Sequence, residues 1–292
     1  MSGRLITTGN ALVDVVAAVP RLPARGSDVL ASAGRLEVGG GGFRALAAAH
    51  AEGADCVFAG RIGTGPFGDL VRSALRRVHV PAPLPPVVGQ DSGFSIAAIE
   101  PDGERTFMTV PGAESAPPHL EMLAVGPGDS VHVHGYGLVA PLRGQALADF
   151  VVRLPERVTV LLDPGPFGAD APPDVLARLL PRVDWWSGNE DEARAATGLG
   201  DPDAAARLLA GTVRSGAVVR QGPDGCVVAL LGGEHRHLPA PEVVVRDSNG
   251  VGDTHVGVFL AALLRGDEPV AAASAANAAA ARFVAGQRRF HG

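Results

Sequence analysis

Residues 247–257 combine three glycines, two carboxylates and the start of an apolar helix. The β-branched run at residues 243–245 precedes them, and the whole pattern predicts a strand, a tight turn and a buried helix. Gly250 and Gly252 allow the turn to direct backbone N–H groups inward at the helix start, which creates an anion site. Asp253 stands at the mouth of that site. A carboxylate there indicates a base that takes a proton from an alcohol as the alcohol attacks a phosphate.

The composition limits the classes of function. The chain has 292 residues, of which 46% are hydrophobic, and a formal net charge of −6, which argues against a nucleic-acid surface. All 25 basic residues are Arg, so a P-loop, which requires Lys, is excluded. No segment has the length and apolar character of a membrane span or a signal peptide. We therefore expect a cytoplasmic protein without a nucleic-acid or membrane partner.

Apolar runs typical of strands alternate with helical patterns along most of the chain, which predicts an α/β fold with a mostly parallel sheet covered on both faces. In such sheets, ligands bind beyond the carboxyl ends of the strands. The predicted strands are residues 5–8, 56–59, 130–134, 158–163, 217–220 and 226–231. The predicted helices are residues 44–52, 67–77, 142–153, 173–180, 190–197, 204–209 and 254–264.

Two segments depart from this alternation. Residues 11–38 alternate apolar and polar side chains between turn signals, and residues 92–111 have the pattern of a β-hairpin with a turn at Pro101-Asp102-Gly103. Together they predict a small antiparallel sheet over one edge of the main domain. Such a lid excludes water from a transfer reaction.

Three further clusters each allow a functional and a plain structural interpretation. The glycines at residues 39–42 precede a helix, and they either admit a ligand against backbone amides or form a flexible loop. Asn189 and Glu192 share one face of a helix start, and they either organise Mg²⁺ near phosphates or cap the helix. Residues 220–225 form a tight turn between strands, which either borders a nucleotide or is only a hairpin.

The stretch at residues 63–68 matches G-x-G-x-x-G between a strand and a helix, which is the fingerprint of dinucleotide binding. Pro66 interrupts the turn, and the region about 20 residues further on, where ribose binding requires a carboxylate, has none before Asp91. A nicotinamide or flavin oxidoreductase is therefore a weaker alternative.

In order and spacing, these features resemble the ribokinase or PfkB-type carbohydrate kinase family over nearly the whole chain. The segment Asp247-Ser248-Asn249-Gly250-Val251-Gly252-Asp253 is similar to its C-terminal signature, D-T-x-G-A-G-D. Gly39-Gly40 is similar to its N-terminal signature, and Asn189-x-x-Glu192 to its N-x-x-E motif. Residues 103–107 resemble its lid hairpin.

The resemblance implies a single kinase domain over residues 1–292, with a ribokinase-like three-layer core, a mostly parallel central sheet and a small antiparallel β lid. It implies transfer of the γ-phosphoryl group of ATP to a hydroxyl, with Mg²⁺ present and with K⁺ allowed for at Asp247. The implied catalytic residues are Asp253 as the base and Gly250, Val251 and Gly252 as the phosphoryl cradle.

The other implied site residues fall into three groups. Asp14, Gly40, Gly41 and Arg44 bind the substrate. Asn189 and Glu192 hold Mg²⁺ through water. The residues that border the nucleotide are Asn189, Arg220, Gly222, Gly225 and Asn277.

The expected acceptor is a ribose-, fructose- or ketogluconate-like sugar, with an adenosine-like nucleoside as the alternative, and a homodimer through the lid is the expected assembly. The family usually has Asn at the position of Arg44 and an aromatic residue at the position of His255. Arg44 motivates a further alternative, which is a non-catalytic sugar-binding protein on the kinase scaffold.

Overall fold

The computed structural model describes residues 3–246 and 248–286. The strands within these ranges are β1 (Leu5–Thr7), β2 (Leu12–Ala18), β3 (Ala33–Gly39), β4 (Cys56–Phe58), β5 (Phe94–Ile99), β6 (Arg105–Val110), β7 (Ser130–His134), β8 (Thr159–Asp163), β9 (Trp185–Asn189), β10 (Gly216–Arg220), β11 (Cys226–Leu230) and β12 (His235–Leu238). The α-helices are α1 (Gly41–Ala51), α2 (Pro66–Arg77), α3 (Tyr136–Val139), α4 (Pro141–Val152), α5 (Pro173–Leu179), α6 (Glu190–Thr197), α7 (Pro202–Ala210), α8 (Val251–Arg265) and α9 (Pro269–Val284). None of the helices in the described ranges is both long and apolar enough to cross a bilayer.

The larger sheet has eight strands in the order β12-β11-β10-β9-β8-β7-β1-β4. All pairs from β10 to β4 are parallel, and only the pairs β10–β11 and β11–β12 are antiparallel. The predicted mostly parallel sheet is therefore confirmed, and its antiparallel edge comes from two hairpins at the end of the sheet.

Side chains on the two faces of this sheet form two separate apolar clusters. Leu161 belongs to the cluster that contains buried residues of α1, α2, α8 and α9. Its neighbours Val160 and Leu162 belong to the cluster that contains those of α4, α5 and α7. Successive strand residues point to opposite faces, so helices cover both faces and the predicted three-layer core is confirmed.

The smaller sheet lies within the two segments that break the alternation, and its order is β3-β2-β5-β6. Its outer pairs are antiparallel and its central pair, β2–β5, is parallel. The carboxylate of Glu114 accepts the N–H groups of Gly93 and Gly112, both at 2.8 Å. This buried carboxylate fastens the base of the β5–β6 hairpin.

Helix α8 is buried on nearly every side over residues 254–262, as expected of a core helix. A Cβ on Gly257 would lie 2.0 Å from the carbonyl oxygen of Ala45. Glycine therefore permits α8 to pack directly on α1, which brings the N-terminal turns of these two helices together.

The strand predicted at residues 243–245 is wrong, because this segment has no regular structure. Val244 is 81% exposed, and Pro239 and Pro241 precede the run, where each lacks the N–H that a strand ladder requires. The β-branched side chains favour a strand locally, but no strand in the described ranges pairs with them.

Candidate active site

Polar side chains gather beyond the carboxyl ends of four neighbouring parallel strands. β7 ends at His134, β8 at Asp163, β9 at Asn189 and β10 at Arg220. Neighbouring parallel strands end at one edge of the sheet, so these residues face a common crevice. The N-terminal turn of α8 reaches the same place, because Arg220 Nη2 lies within 3.3 Å of the Cβ position of Gly252.

Asp253 lies in the first turn of α8, and its side chain is 16% exposed. Gly250 before it has φ of 86°, a left-handed conformation that favours glycine. The N–H of Val251 donates to the carbonyl of Ser248 at 3.2 Å. The N–H groups of Gly252 and Asp253 have no such bond among the described residues. The turn thus combines open amides with a partly exposed carboxylate.

Arg44, in the first turn of α1, connects the smaller sheet to the α8 turn. Its Nη2 donates to Asp14 Oδ2 on β2 at 2.5 Å, and its Nη1 donates to Asn249 Oδ1 at 2.9 Å. Nη1 also lies 4.0 Å from Asp253 Oδ2. Burial raises the pKa of the Asp14 carboxyl, although the charge of Arg44 opposes this shift. The guanidinium of Arg44 therefore stands between the carboxylates of Asp14 and Asp253.

Two glycines before α1 shape the same pocket. Gly40 has φ of 94°, and a Cβ there would lie 2.8 Å from the carbonyl oxygen of Asn10. A Cβ on Gly41 would lie 2.4 Å from His134 Nε2 and 3.0 Å from Asp253 Oδ1. Both positions require glycine, so this stretch is more than a flexible loop.

His134, Asp163 and Asp253 each place one ligand atom within 4.8 Å of the other two. One imidazole and two carboxylates can hold a divalent metal ion. However, His134 Nδ1 accepts the N–H of Tyr136 at 3.4 Å, which leaves the proton of the neutral ring on Nε2. His134 is only 4% exposed, yet Nε2 has no hydrogen-bond partner in the described part of the chain. This atom therefore suits hydrogen-bond donation into the pocket.

An aromatic stack adjoins this cluster. The Tyr136 ring lies parallel to that of His134, with centroids 5.3 Å apart, and Phe167 meets Tyr136 edge-on at 4.9 Å. Burial raises the pKa of Tyr136, and so do the charges of Asp253 and Asp14. The sequence reasoning assigned no role to His134, Tyr136 or Asp163. The position of His134 and Asp163 at the carboxyl ends of parallel strands is the signal that identifies them.

Arg220 is a nearly buried cation among acidic groups, with 11% of its side chain exposed. Its Nη1 donates to Ser187 Oγ at 3.1 Å and lies 3.8 Å from Asp163 Oδ2. Its Nη2 donates to Glu192 Oε2 at 3.3 Å. Burial raises the pKa of Glu192, although Arg220 opposes the shift. Since Nη2 also faces Gly252, Arg220 presents positive charge at the α8 turn.

Asn189 and Glu192 form a complete capping box at the start of α6. Glu192 N donates to Asn189 Oδ1 at 2.8 Å, and Asn189 N donates to Glu192 Oε2 at 2.7 Å. The interpretation that this pair caps the helix is therefore correct. The capping box uses Glu192 Oε2 and leaves Oε1 without a hydrogen bond among the described residues. Carboxylate oxygens are the ligands that Mg²⁺ prefers, so Glu192 and Asp163 fit such an ion.

A cavity of about 640 Å³ opens beside this network. Its lining includes every residue that was predicted to border a nucleotide, namely Asn189, Arg220, Gly222, Gly225 and Asn277. Residues 222–224 form a short 3₁₀ turn between β10 and β11, so this turn is a hairpin that also borders the cavity. Val251 and Gly252 reach the cavity from α8. Asp247, predicted to bind a monovalent cation, lies outside the described residues.

The G-x-G-x-x-G stretch at residues 63–68 does not offer an anion site. The carboxylate of Asp91 accepts the N–H of Phe67 at 3.0 Å and that of Gly68 at 2.8 Å. A Cβ on Gly65 would lie 2.4 Å from Asp91 Cγ. The start of α2 is thus occupied by the protein's own carboxylate, which argues against the dinucleotide interpretation.

The family model for pfkB family carbohydrate kinases matches residues 3–287. The uncharacterized sugar kinase YegV of Escherichia coli (strain K12) is 31% identical, with 97% of this chain and 89% of that protein aligned. A fructokinase of Klebsiella pneumoniae is 30% identical, with 90% and 85% aligned. The structure of Arabidopsis thaliana ribokinase complexed with ribose and ATP matches with a TM-score of 0.80 at 24% identity, covering 99% of this chain and 94% of that one.

Proposed function

This chain belongs to the pfkB family of carbohydrate kinases, which are phosphotransferases, and we propose that it transfers the γ-phosphoryl group of ATP to a hydroxyl of a small sugar. The acceptor is a ribose-, fructose- or ketogluconate-like sugar. The position of Asp253 carries this proposal. Its helix turn lines the cavity through Gly252, while its carboxylate lies 4.0 Å from Arg44, which pairs with Asp14.

In the proposed reaction, Asp253 takes the proton of the acceptor hydroxyl as the hydroxyl oxygen bonds to the γ-phosphorus. The bond from that phosphorus to the bridging oxygen breaks, and ADP leaves with the electron pair. Phosphoryl transfer depends on positioning and charge neutralisation more than on covalent chemistry. The open amides of Gly252 and Asp253 and the guanidinium of Arg220 supply this neutralisation. They lie at the predicted cradle of Gly250, Val251 and Gly252, in which the N–H of Val251 is already bound to Ser248.

Glu192 and Asp163, together with Asn189, are the residues that would hold Mg²⁺, directly or through water. The support is their oxygen chemistry and their place beside Arg220 at the cavity. When bound, the ion neutralises phosphate charge. Arg220 keeps the two carboxylates in place by pairing with both.

At the acceptor end, Asp14 accepts a hydrogen bond from a sugar hydroxyl, and Gly40 and Gly41 allow the sugar to approach the backbone. His134 Nε2–H donates to a sugar oxygen, because this atom faces the pocket and no group among the described residues accepts from it. Arg44 takes the place of the usual Asn, and it holds Asp14 while it narrows the space beside Asp253.

A nucleoside is the second candidate acceptor, and the aromatic stack favours it. Tyr136 lies close enough to Asp253 and Asp14 for both charges to raise its pKa. Phe167 next to it is 41% exposed. Aromatic faces of this kind pack well against a planar base.

The homodimer through the lid stays a prediction. Its support is the exposed apolar side chains of the smaller sheet, since Leu36 is 56%, Phe107 47% and Met108 60% exposed. Clustered exposed apolar residues often mark a contact surface.

A coupled assay of ADP release tests the proposed function. The purified protein, ATP and Mg²⁺ are mixed with ribose, fructose, 2-keto-3-deoxygluconate or adenosine in turn. We expect ADP release that depends on one of the sugars. Release that depends on adenosine alone would favour the second candidate, and no acceptor-dependent release across a broad sugar and nucleoside panel would contradict both.

Replacing Gly41 with Ala is expected to lower kcat/KM for the acceptor by about 10²-fold, because displacing groups by about 1 Å at a reacting centre has an effect of this order. The new Cβ would press on His134 and Asp253, while the nucleotide cavity stays unchanged, so KM for ATP is expected to hold. Gly200→Ala is the matched control, since a Cβ there meets nothing within 4 Å. Equal kcat/KM values in the two variants would contradict this account of the pocket.

A further inference from the structure

The nucleotide cavity has one apolar wall that consists of a single face of α9. Asn277, Ala280, Ala281 and Val284 lie at helical spacing and all line the cavity. Val243, Val245, Pro241 and Pro223 also line it, from outside α9. A planar base fits between such apolar surfaces. Asn277 is the only side chain on the α9 wall that has hydrogen-bonding groups, so it is the natural candidate for reading the edge of the base.

Both functional groups of the Asn277 amide are engaged inside the protein. Its Oδ1 is 3.1 Å from His255 Nε2. Its Nδ2 donates to the carbonyl of Leu238 at 2.9 Å and points to that of Pro239 at 3.5 Å. Because backbone carbonyls only accept, Nδ2 must face them, and His255 Nε2–H must then be the donor to Oδ1.

His255 holds this arrangement over the whole physiological range of pH. The ring is 3% exposed, and burial lowers its pKa to about 3. The neutral ring carries one proton, which the bond to Asn277 places on Nε2. Its Nδ1 is buried and has no hydrogen-bond partner among the described residues, so it does not offer a contact to the base. His255 therefore locks the amide of Asn277 in place.

The other polar side chains of the cavity do not separate one purine from another. Asn189 and Arg220 are bound to Glu192 at the phosphate end. The hydroxyl of Ser248 also lines the cavity and is exposed, and it can either donate or accept, so it suits any purine edge. Glu242 is exposed and only accepts hydrogen bonds. Adenine, guanine and hypoxanthine each present at least one N–H to such an acceptor.

We infer that this cavity binds the purine by its faces and does not select adenine, so that guanine and hypoxanthine nucleotides serve as phosphoryl donors beside ATP. The inference rests on the proposed function, because it takes the cavity as the nucleotide site. An apolar pocket discriminates between similar ligands only weakly, whereas a pocket that hydrogen-bonds the correct ligand rejects others by about 10⁴-fold or more. Because the Asn277 amide is engaged inside the protein, we expect this cavity to behave as an apolar pocket that discriminates only weakly.

Calorimetric titration with ADP, GDP and IDP in the presence of Mg²⁺ tests the inference without any acceptor. We expect three dissociation constants that agree within about tenfold. A larger preference for ADP over GDP and IDP would overturn the inference and leave the proposed function standing. If none of the three nucleotides binds, the proposed function fails together with the inference.

A variant shows whether Asn277 takes part in base selection. Asn277→Leu removes both amide groups, and we expect any change in affinity to be the same for ADP, GDP and IDP. A loss confined to ADP would show that Asn277 reads adenine and would overturn the inference. Should that variant not fold, His255→Phe serves instead, because it frees Asn277 Oδ1 to accept from the adenine amino group. A rise in the preference for ADP over IDP is then expected. An unchanged ratio of the two dissociation constants would overturn the role assigned to the hydrogen bond between His255 and Asn277.

Discussion

Replacing Asp253 with Asn is expected to lower kcat by about 10²–10⁴-fold, the usual effect of removing a general base. The amide keeps the shape of the carboxylate but cannot take the proton of the acceptor hydroxyl. The open amides of the α8 turn and the contacts of Arg44 to Asp14 and Asn249 remain in this variant. We therefore expect KM for ATP to be largely unchanged, and coupled ADP release with the best acceptor measures both constants.

Asp191→Asn is the matched control for this experiment. Asp191 also stands in the first turn of a helix, α6, but its side chain is 84% exposed. We expect this variant to keep the wild-type kcat. If Asp253→Asn also keeps it, the base lies elsewhere in the site.

Replacing Arg220 with Met is expected to lower the free energy of unfolding by about 3 kcal/mol, the lower end of the effect of breaking a buried ion pair. Asp163 is 3% and Glu192 11% exposed, so both carboxylates would stay buried without their shared cation. The same change removes positive charge from the α8 turn, and KM for ATP should rise.

Urea denaturation followed by circular dichroism measures the stability of this variant. Arg194→Met is the control, because Arg194 pairs with Asp191 at the surface, where the side chains are 57% and 84% exposed. Such surface pairs contribute about 0.5 kcal/mol. Equal unfolding free energies for the two variants would show that Arg220 does not hold the acidic cluster.

The fold could be predicted from the sequence because the patterns that indicate its strands and helices are local. Buried strands and amphipathic helices alternate with clear boundaries, and five of the described helices begin at a proline, a residue that suits the first helical position. The run at residues 243–245 shows the limit of local signals. Its β-branched residues favour a strand, but a strand also requires a partner, and whether an edge is available depends on the whole sheet.

The candidate site also has one part that local patterns predict and one part that they do not. Gly250 to Asp253 and the pair Asn189 and Glu192 are contiguous, so their spacing alone predicts a turn and a helix start. The contacts of Arg44 with Asp14 and Asn249 join three distant segments. No local pattern shows that these segments meet.

The same limit applies to two smaller findings. The sequence does not identify His134 and Asp163 as site residues, because their importance comes from the place where their strands end. The stretch at residues 63–68 resembled a dinucleotide site because its occupant, Asp91, comes from a later segment.

The central claim is that Asp253 enables phosphoryl transfer from ATP to an acceptor hydroxyl. Phosphorus NMR of the reaction mixture, recorded with the wild type and with Asp253→Asn, tests it most directly, since it observes ATP, ADP and the phosphorylated acceptor together. We predict that the wild type forms one phosphate ester for each ADP, and that the variant forms neither at a comparable rate. ADP that accumulates with free phosphate and without an ester, or an ester formed equally fast by the variant, would contradict the claim.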